Sequence, residues 1–378
     1  MPLSIRVAAP LYMAHRAHGK LSILQVAHLH PANRIRELSL HMFAGDLHVL
    51  AYQPPGVYTV LERLEVRLGG RADIDKAGYY PRRDSLYDLQ DEPLASITAF
   101  ENCPRLRSAI NNNSPLAKHF PLPWAQLTNL VLQLPDCRSA DSPPFLRCTS
   151  LVTGDIWVRR FNPDDHALGT TPVEFPNLRT LRLCLAGYPS ALLQLIRAPG
   201  LRALAVEKEA LDIQIWGALS QLCTHAPLLE DVKLINFDFC SPPTAKEEWL
   251  RQLPSVRSFT LERGTLQPST MIPLFEAFPR TEILMPSLER LCFERVKPIV
   301  FDTCFGDTKR RELEWQDDII FVQAIRSRLE AAEDDIVAQM RHLSLSYSSR
   351  LLTDSVRTDL EALTKKVPEF TVEISRTV

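Results

Sequence analysis

The side chains best placed for chemistry are Arg179, Arg182, Arg202, Glu230, Lys233, Arg257 and Glu289. Each stands one or four residues after an aliphatic residue that opens a recurring phrase, and from Arg202 onward the first of these charges alternate in sign. The chemistry on offer is ionic recognition. Set on neighbouring parallel strands about 4.8 Å apart, such side chains either present a charged stripe to a partner protein or pair sideways with one another. A sideways ladder of exposed ion pairs contributes about 0–1 kcal/mol per pair. Both readings stand on the residues alone.

Other reactive residue types are present without the spacing that chemistry needs. Six of the ten histidines fall between His15 and His48, including His28-x-His30 and His15-x-x-His18. A metal site needs two or three converging ligands, and no cysteine or carboxylate sits at ligand spacing nearby, so these read as surface histidines. The acidic pairs at 73–75, 164–165, 317–318 and 334–335 lie in polar stretches and read as solvated. Gly69-Gly70 has no following Gly-Lys-Ser/Thr to cradle phosphate, and neither G-x-S-x-G nor H-E-x-x-H occurs. Cys103, Cys137, Cys148, Cys184, Cys223, Cys240, Cys292 and Cys304 form no C-x-x-C pair. Zinc binding and a disulfide framework are therefore not expected. Trp124, Trp157, Trp216, Trp249 and Trp315 are dispersed and read as packing residues. The expectation is a protein without catalytic residues, cofactor or metal; an enzyme with its site in the long loops is the remote alternative.

The charged residues are positioned by a repeated phrase. "FPNLRTLRL" (175–183) recurs as "APGLRALAV" (198–206), "APLLEDVKL" (226–234), "LPSVRSFTL" (253–261) and "MPSLERLCF" (285–293). Its first aliphatic positions, Leu178, Leu201, Leu229, Val256 and Leu288, are separated by 23, 28, 27 and 32 residues. Weaker copies open at Ile35, Leu61, Leu106, Leu127 and Leu151, and "MRHLSLS" (340–346) extends the series downstream. A period mostly in the twenties with L-x-x-L-x-L at each node predicts a leucine-rich-repeat architecture. One short strand cannot bury its apolar side alone; stacked parallel copies make a continuous wall, covered by the returning segments. Those returns read as helices at 189–198, 209–226 and 243–253. Pro176, Pro199, Pro227, Pro254 and Pro286 read as the end of one return and the first residue of the next strand. The Asn or Cys that regular repeats carry three residues past the last aliphatic is replaced by Ala186, Glu209, Phe237, Gly264 and Val296. The expected fold is thus α/β, an irregular solenoid with a curved parallel sheet on its concave face and helices and loops on its convex face.

A single solenoid is expected over 1–378: N-terminal repeats at 1–68, a loop at 69–93, central repeats at 94–301, a loop at 302–318 and C-terminal capping repeats at 319–378. Further loops are expected at 135–145 and 162–172. In the last part, 319–332 and 352–367 read as helices, 341–347 and 369–375 as strands. A formal charge of -2 over 378 residues argues against nucleic acid, which requires a cationic surface. The first twenty residues lack the apolar run of a signal peptide, and no stretch reaches the ~20 apolar residues of a membrane span. An intracellular protein, cytoplasmic or nuclear, with no membrane partner is expected.

With these residues in place, the chain resembles the leucine-rich-repeat region of fungal, mushroom-type F-box proteins. "PLSIRV" (2–7) is similar to the strand that follows the F-box there, "NRIRELSL" (33–40) to the first repeat, and "IRSRLEAA" (325–332) before "MRHLSLSY" to the closing helix and strand. The resemblance implies a ubiquitin-ligase substrate receptor whose repeats hold a protein on the concave face. It also implies a Skp-type adaptor, docked by a helical segment opening on Leu-Pro-x-Glu. The F-box itself is missing from these 378 residues, so the adaptor is expected only where such a segment lies upstream. A stand-alone interaction scaffold is the alternative.

Overall fold

A computed structural model of the chain describes residues 3–8, 32–42, 50, 53–68, 97–112, 121–134, 143–161, 171–187, 189–208, 214–237, 248–266, 284–298, 322–332, 337–347 and 354–376. Outside them lie the expected loops 69–93 and 302–318, most of the expected loops 135–145 and 162–172, the histidines from His15 to His30, and Trp315. The chain divides into two compact units, Met1–Leu178 and Arg179–Val378. The division falls inside the expected central repeats, within the phrase 175–183. The chain is α/β, and each unit carries a parallel sheet.

The first unit contains β1 (Leu3–Ala8), β2 (Ile35–Met42), β3 (Arg63–Leu68), β4 (Ser108–Asn112), β5 (Asn129–Leu134) and β6 (Thr153–Phe161), paired in chain order and all parallel. The register superposes equivalent repeat positions: Leu38 faces Leu64, Leu64 faces Ala109, and Ala109 faces Leu130. The described returns contain 3-10 turns at Ala32–Arg34, Thr98–Phe100, Trp124–Gln126 and Pro144–Arg147. Phe100 and Tyr58 stack in the core with ring centroids 5.3 Å apart.

In the second unit β7 (Thr180–Gly187), β8 (Ala203–Lys208), β9 (Asp231–Ile235), β10 (Ser258–Glu262), β11 (Arg290–Pro298), β12 (His342–Tyr347) and β13 (Thr371–Arg376) also pair in chain order. Here α1 (Pro189–Gln194), α2 (Ile215–Thr224) and α3 (Asp354–Lys366) join helical residues 248–251 and 322–332 as returns. α1 is shorter than the expected 189–198, because Ile196–Arg197 are already extended. Leu181, Leu204, Val232, Phe259, Leu291 and Leu343 form one buried row, and Leu183, Val206, Leu234, Leu261, Phe293 and Leu345 the next. Alternation along a strand sends the intervening residues to the opposite face.

The prolines act differently from the sequence reading. The strands begin four residues after them, at Thr180, Ala203, Asp231, Ser258 and Arg290. Each phrase opens with a tight turn instead. The amide of its first aliphatic donates to the carbonyl three residues earlier, in Leu178→Phe175, Leu201→Ala198, Leu229→Ala226, Val256→Leu253 and Leu288→Met285, at 3.1–3.3 Å. Proline occupies the second turn position, which its fixed φ suits and where no amide hydrogen is required. The turn's first residue is buried in every case. Tyr58, Cys103, Trp124 and Cys148 hold the same place in the first unit, accepting from Leu61, Leu106, Leu127 and Leu151.

A second device follows each turn. The carbonyl of a first spacer accepts two amides from the next repeat: Arg202 and Ala203 donate to Arg179, Glu230 and Asp231 to Arg202, and Arg257 and Ser258 to Glu230, at 2.8–3.0 Å. Arg107 and Ser108 donate to Glu62 in the same way. The strands end on left-handed residues, Asn236 (φ 61°) and Arg263 (φ 52°), with Arg295 (φ 54°) at the same place within β11. Just beyond, where regular repeats have Asn or Cys, Phe237 and Val296 are buried, so the turn is held by packing rather than by a side-chain amide.

Candidate functional site

Two rows of charge lie beside the sheet of the second unit. The outer row comprises the first spacers. Arg202 approaches Glu230 at 3.9 Å and Arg257 approaches Glu289 at 3.8 Å, so these four form adjacent pairs. Arg179 donates to the Gly200 carbonyl at 3.3 Å. These guanidiniums are solvent-exposed, with Arg257 retaining 65% of its side-chain surface, and their mutual attraction is correspondingly weak.

The inner row is more closely knit. Arg182 on β7 reaches Glu207 on β8 at 3.5 Å, and Glu207 also accepts from Arg263 at 2.6 Å. Arg263 lies 3.4 Å from Glu262, which binds Lys233 at 2.8 Å, and Lys233 bonds Glu294 at 3.2 Å. Arg263, left-handed at the end of β10, reaches across β9 to Glu207 on β8. Burial raises the Glu262 carboxyl, but Lys233, Arg263 and Arg295 outweigh it and hold the group below its ordinary value. Burial likewise lowers the Lys233 ammonium, and its two glutamates more than restore it. Three cations and three carboxylates are linked by direct contacts in this row, and Arg295 acts on Glu262 as a fourth cation.

All seven sequence candidates thus lie in the second unit, divided between the rows: Arg182 and Lys233 in the inner, the rest in the outer. Glu207, Glu262, Arg263 and Glu294 escaped the sequence reading. A signal was present, since an acid directly follows the last apolar residue of the phrase in Val206-Glu207, Leu261-Glu262 and Phe293-Glu294.

The first unit carries a depression of about 330 Å³ over β1–β3, lined among others by Arg6, Glu37, Ser39, Arg63, Glu65 and Arg67. Ser4 donates to Glu37 at 3.0 Å, and Arg67 pairs with Glu65. Burial raises the Glu65 carboxyl, and Arg67, Ser39 and His41 together bring it below its usual value.

Among the described residues no group of three His, Cys, Asp or Glu converges as a metal site, and no helix is long and apolar enough to cross a membrane. Cys103, Cys148, Cys184, Cys223 and Cys292 are buried free thiols. Burial pushes Cys103 up to about 11 and Cys148 and Cys223 up to about 12, which keeps them protonated and poor nucleophiles. Cys223 accepts from the Trp249 indole at 3.4 Å, within an aromatic cluster of Trp216, Phe237, Trp249 and Phe259. Trp124, Trp216 and Trp249 are buried, while Trp157 on β6 keeps partial exposure. No protein-family model matches the chain, and no curated protein matches it.

Proposed function

We propose that this chain is a protein-binding repeat scaffold of the leucine-rich-repeat kind, a curved solenoid working inside the cell. By its resemblance to the mushroom-type F-box proteins, it is the substrate-recognition part of a ubiquitin-ligase subunit. The observation that supports this most is the register of the parallel strands. It sets Arg182, Lys233, Glu207, Glu262 and Glu294 on one face and the aliphatic positions on the other, and the first spacers, one residue ahead of each strand, are kept in step by their shared carbonyls. Such a face binds through its composition and needs no catalytic group. Arg179, Arg202, Glu230, Arg257 and Glu289 are the residues proposed to meet the partner, with Arg182 and Lys233 holding the surface beside them.

Affinity capture tests the reading. The chain is used as bait alone and with a Leu-Pro-x-Glu helical segment fused ahead of Met1. Expected are a protein partner with both baits, and Skp-type and cullin subunits with the extended bait only. A partner recovered without any ligase subunit would reduce the function to a stand-alone scaffold. Recovery of no protein with either bait would overturn the scaffold reading itself.

A further inference from the structure

The depression over β1–β3 differs from the inner charged row of the second unit in one respect. Its carboxylates are satisfied by neighbours, and two of its guanidiniums are not. Glu37 receives the Ser4 hydroxyl, and Glu65 receives Arg67 and Ser39. Arg6 and Arg63 line the same depression and have no ion-pair or hydrogen-bond partner among the described residues. The register puts them at diagonal corners of a rectangle, two strands wide and two residues long. Arg6 stands opposite Ser39, which stands opposite Glu65; Ser4 stands opposite Glu37, which stands opposite Arg63. Two strand spacings, about 10 Å, separate β1 from β3, so the two side chains border the depression from either side of β2.

We propose that this depression is a carboxylate-binding subsite for an acidic segment of the partner protein, with Arg6 and Arg63 as its anchors. A guanidinium presents a planar fork of N–H donors matched to a carboxylate's two oxygens. Two such forks on either side of β2 suit an extended segment with acids at alternate positions. Three guanidiniums against two carboxylates leave the lining with a cationic excess. Glu37, on β2 between the strands that carry the anchors, disfavours any anion that lies flat over the centre. Exposed on the strands that flank β2, Arg6 and Arg63 are held by the backbone rather than by packing, which keeps them available. This inference rests on the protein-binding reading and gives it a location and a partner chemistry.

The probe is a fluorescein-labelled six-residue peptide of alternating Glu and Ser, compared with its Gln-for-Glu counterpart by anisotropy against the full chain. Expected are saturable binding of the acidic peptide that weakens with added salt, and no binding of the Gln peptide. Arg6→Gln combined with Arg63→Gln is expected to weaken binding about ten-fold or more, since charge-assisted hydrogen bonds are lost at both anchors. Arg357→Gln on α3 serves as the control and leaves affinity unchanged. Arg6→Lys and Arg63→Lys keep the charge but not the fork, and each gives an intermediate loss; they carry the test if the double variant melts early. Equal affinity for both peptides, or affinity indifferent to Arg6 and Arg63, overturns the proposal. The same variants used as capture bait separate the two readings. A partner retained by the double Gln variant removes the subsite and leaves the scaffold. Peptide binding without any captured protein keeps the subsite and removes the scaffold.

Discussion

At Gly264 the absence of a side chain is a packing requirement. A Cβ there would stand 2.6 Å from the Phe237 carbonyl oxygen and 2.8 Å from a Leu261 methyl. The backbone partner has nowhere to go, so Gly264→Ala is expected to destabilise by about 1–3 kcal/mol, as overpacking does, read from the urea midpoint. Glu262 makes a different prediction. Its carboxyl is lowered in the folded state from 4.5, so its stabilisation is present above that value and is lost as pH falls through the folded one. As pH falls below about 4.5, Glu262→Gln should therefore flatten the fall in urea midpoint that the parent chain shows. An identical slope in both proteins would contradict the pairing with Lys233. Arg328 is the residue least expected from its type. It is wholly buried in the helical segment 322–332 and donates to the carbonyls of Leu284, at 3.2 Å, and of Met285. Met285 is itself left-handed, with φ 49°.

Repeats were legible at the scale of the element because burial selects aliphatics at a fixed offset. The nodes from Ile35 to Leu288 all open on a buried residue, which pattern alone located. Leu204→Ala should accordingly cost about 2–5 kcal/mol, measured by the same denaturation; an unchanged midpoint would contradict its place in the row. What pattern could not supply was conformation between the nodes. Proline is compatible with a strand start and with a turn, and only the hydrogen bond from Leu178 to Phe175 and its counterparts decide for the turn. The ion pairs were half legible for a similar reason. Spacer charges on adjacent strands were visible, but Arg263 reaches Glu207 through a left-handed backbone that no offset encodes. The substitution Arg257→Glu sets three acids in succession, the introduced carboxylate standing between Glu230 and Glu289. The expected loss is under about 1 kcal/mol and shrinks with added salt; a salt-independent loss would point to packing instead.

For the whole molecule, the thiols offer a reporter on each compact unit. Cys103 and Cys148 lie in the first and Cys223 in the second, all buried and protonated. Alkylation mapped by mass spectrometry should leave the three unmodified in the native protein and modify them together with the unfolding of their own unit. Labelling of any one in native buffer would contradict its burial. The charge balance at this scale also has a location. The side chains of the inner row in the second unit are paired with one another, whereas Arg6 and Arg63 in the β1–β3 lining of the first have no ion-pair partner among the described residues. A net charge of -2 for the chain conceals that difference.

The carbonyl shared between successive first spacers constrains how such a chain can change length. Arg202 accepts from Glu230 and Asp231, and Arg179 from Arg202 and Ala203. Removing the segment from Arg202 through Leu229 would join Leu201 to Glu230 and offer Arg179 the same kind of donor pair from Glu230 and Asp231. Cutting into the turn from Ala226 to Leu229 would misplace both donors at once, whereas the return ahead of it can vary, since periods of 23, 28 and 27 residues all keep the donor pair. Loss or duplication is therefore tolerated by the backbone in whole periods, while the side chains on the opposite face are free to be reshuffled with each one. Such a chain can exchange its exposed charged rows in units of one turn and one strand without rebuilding the core.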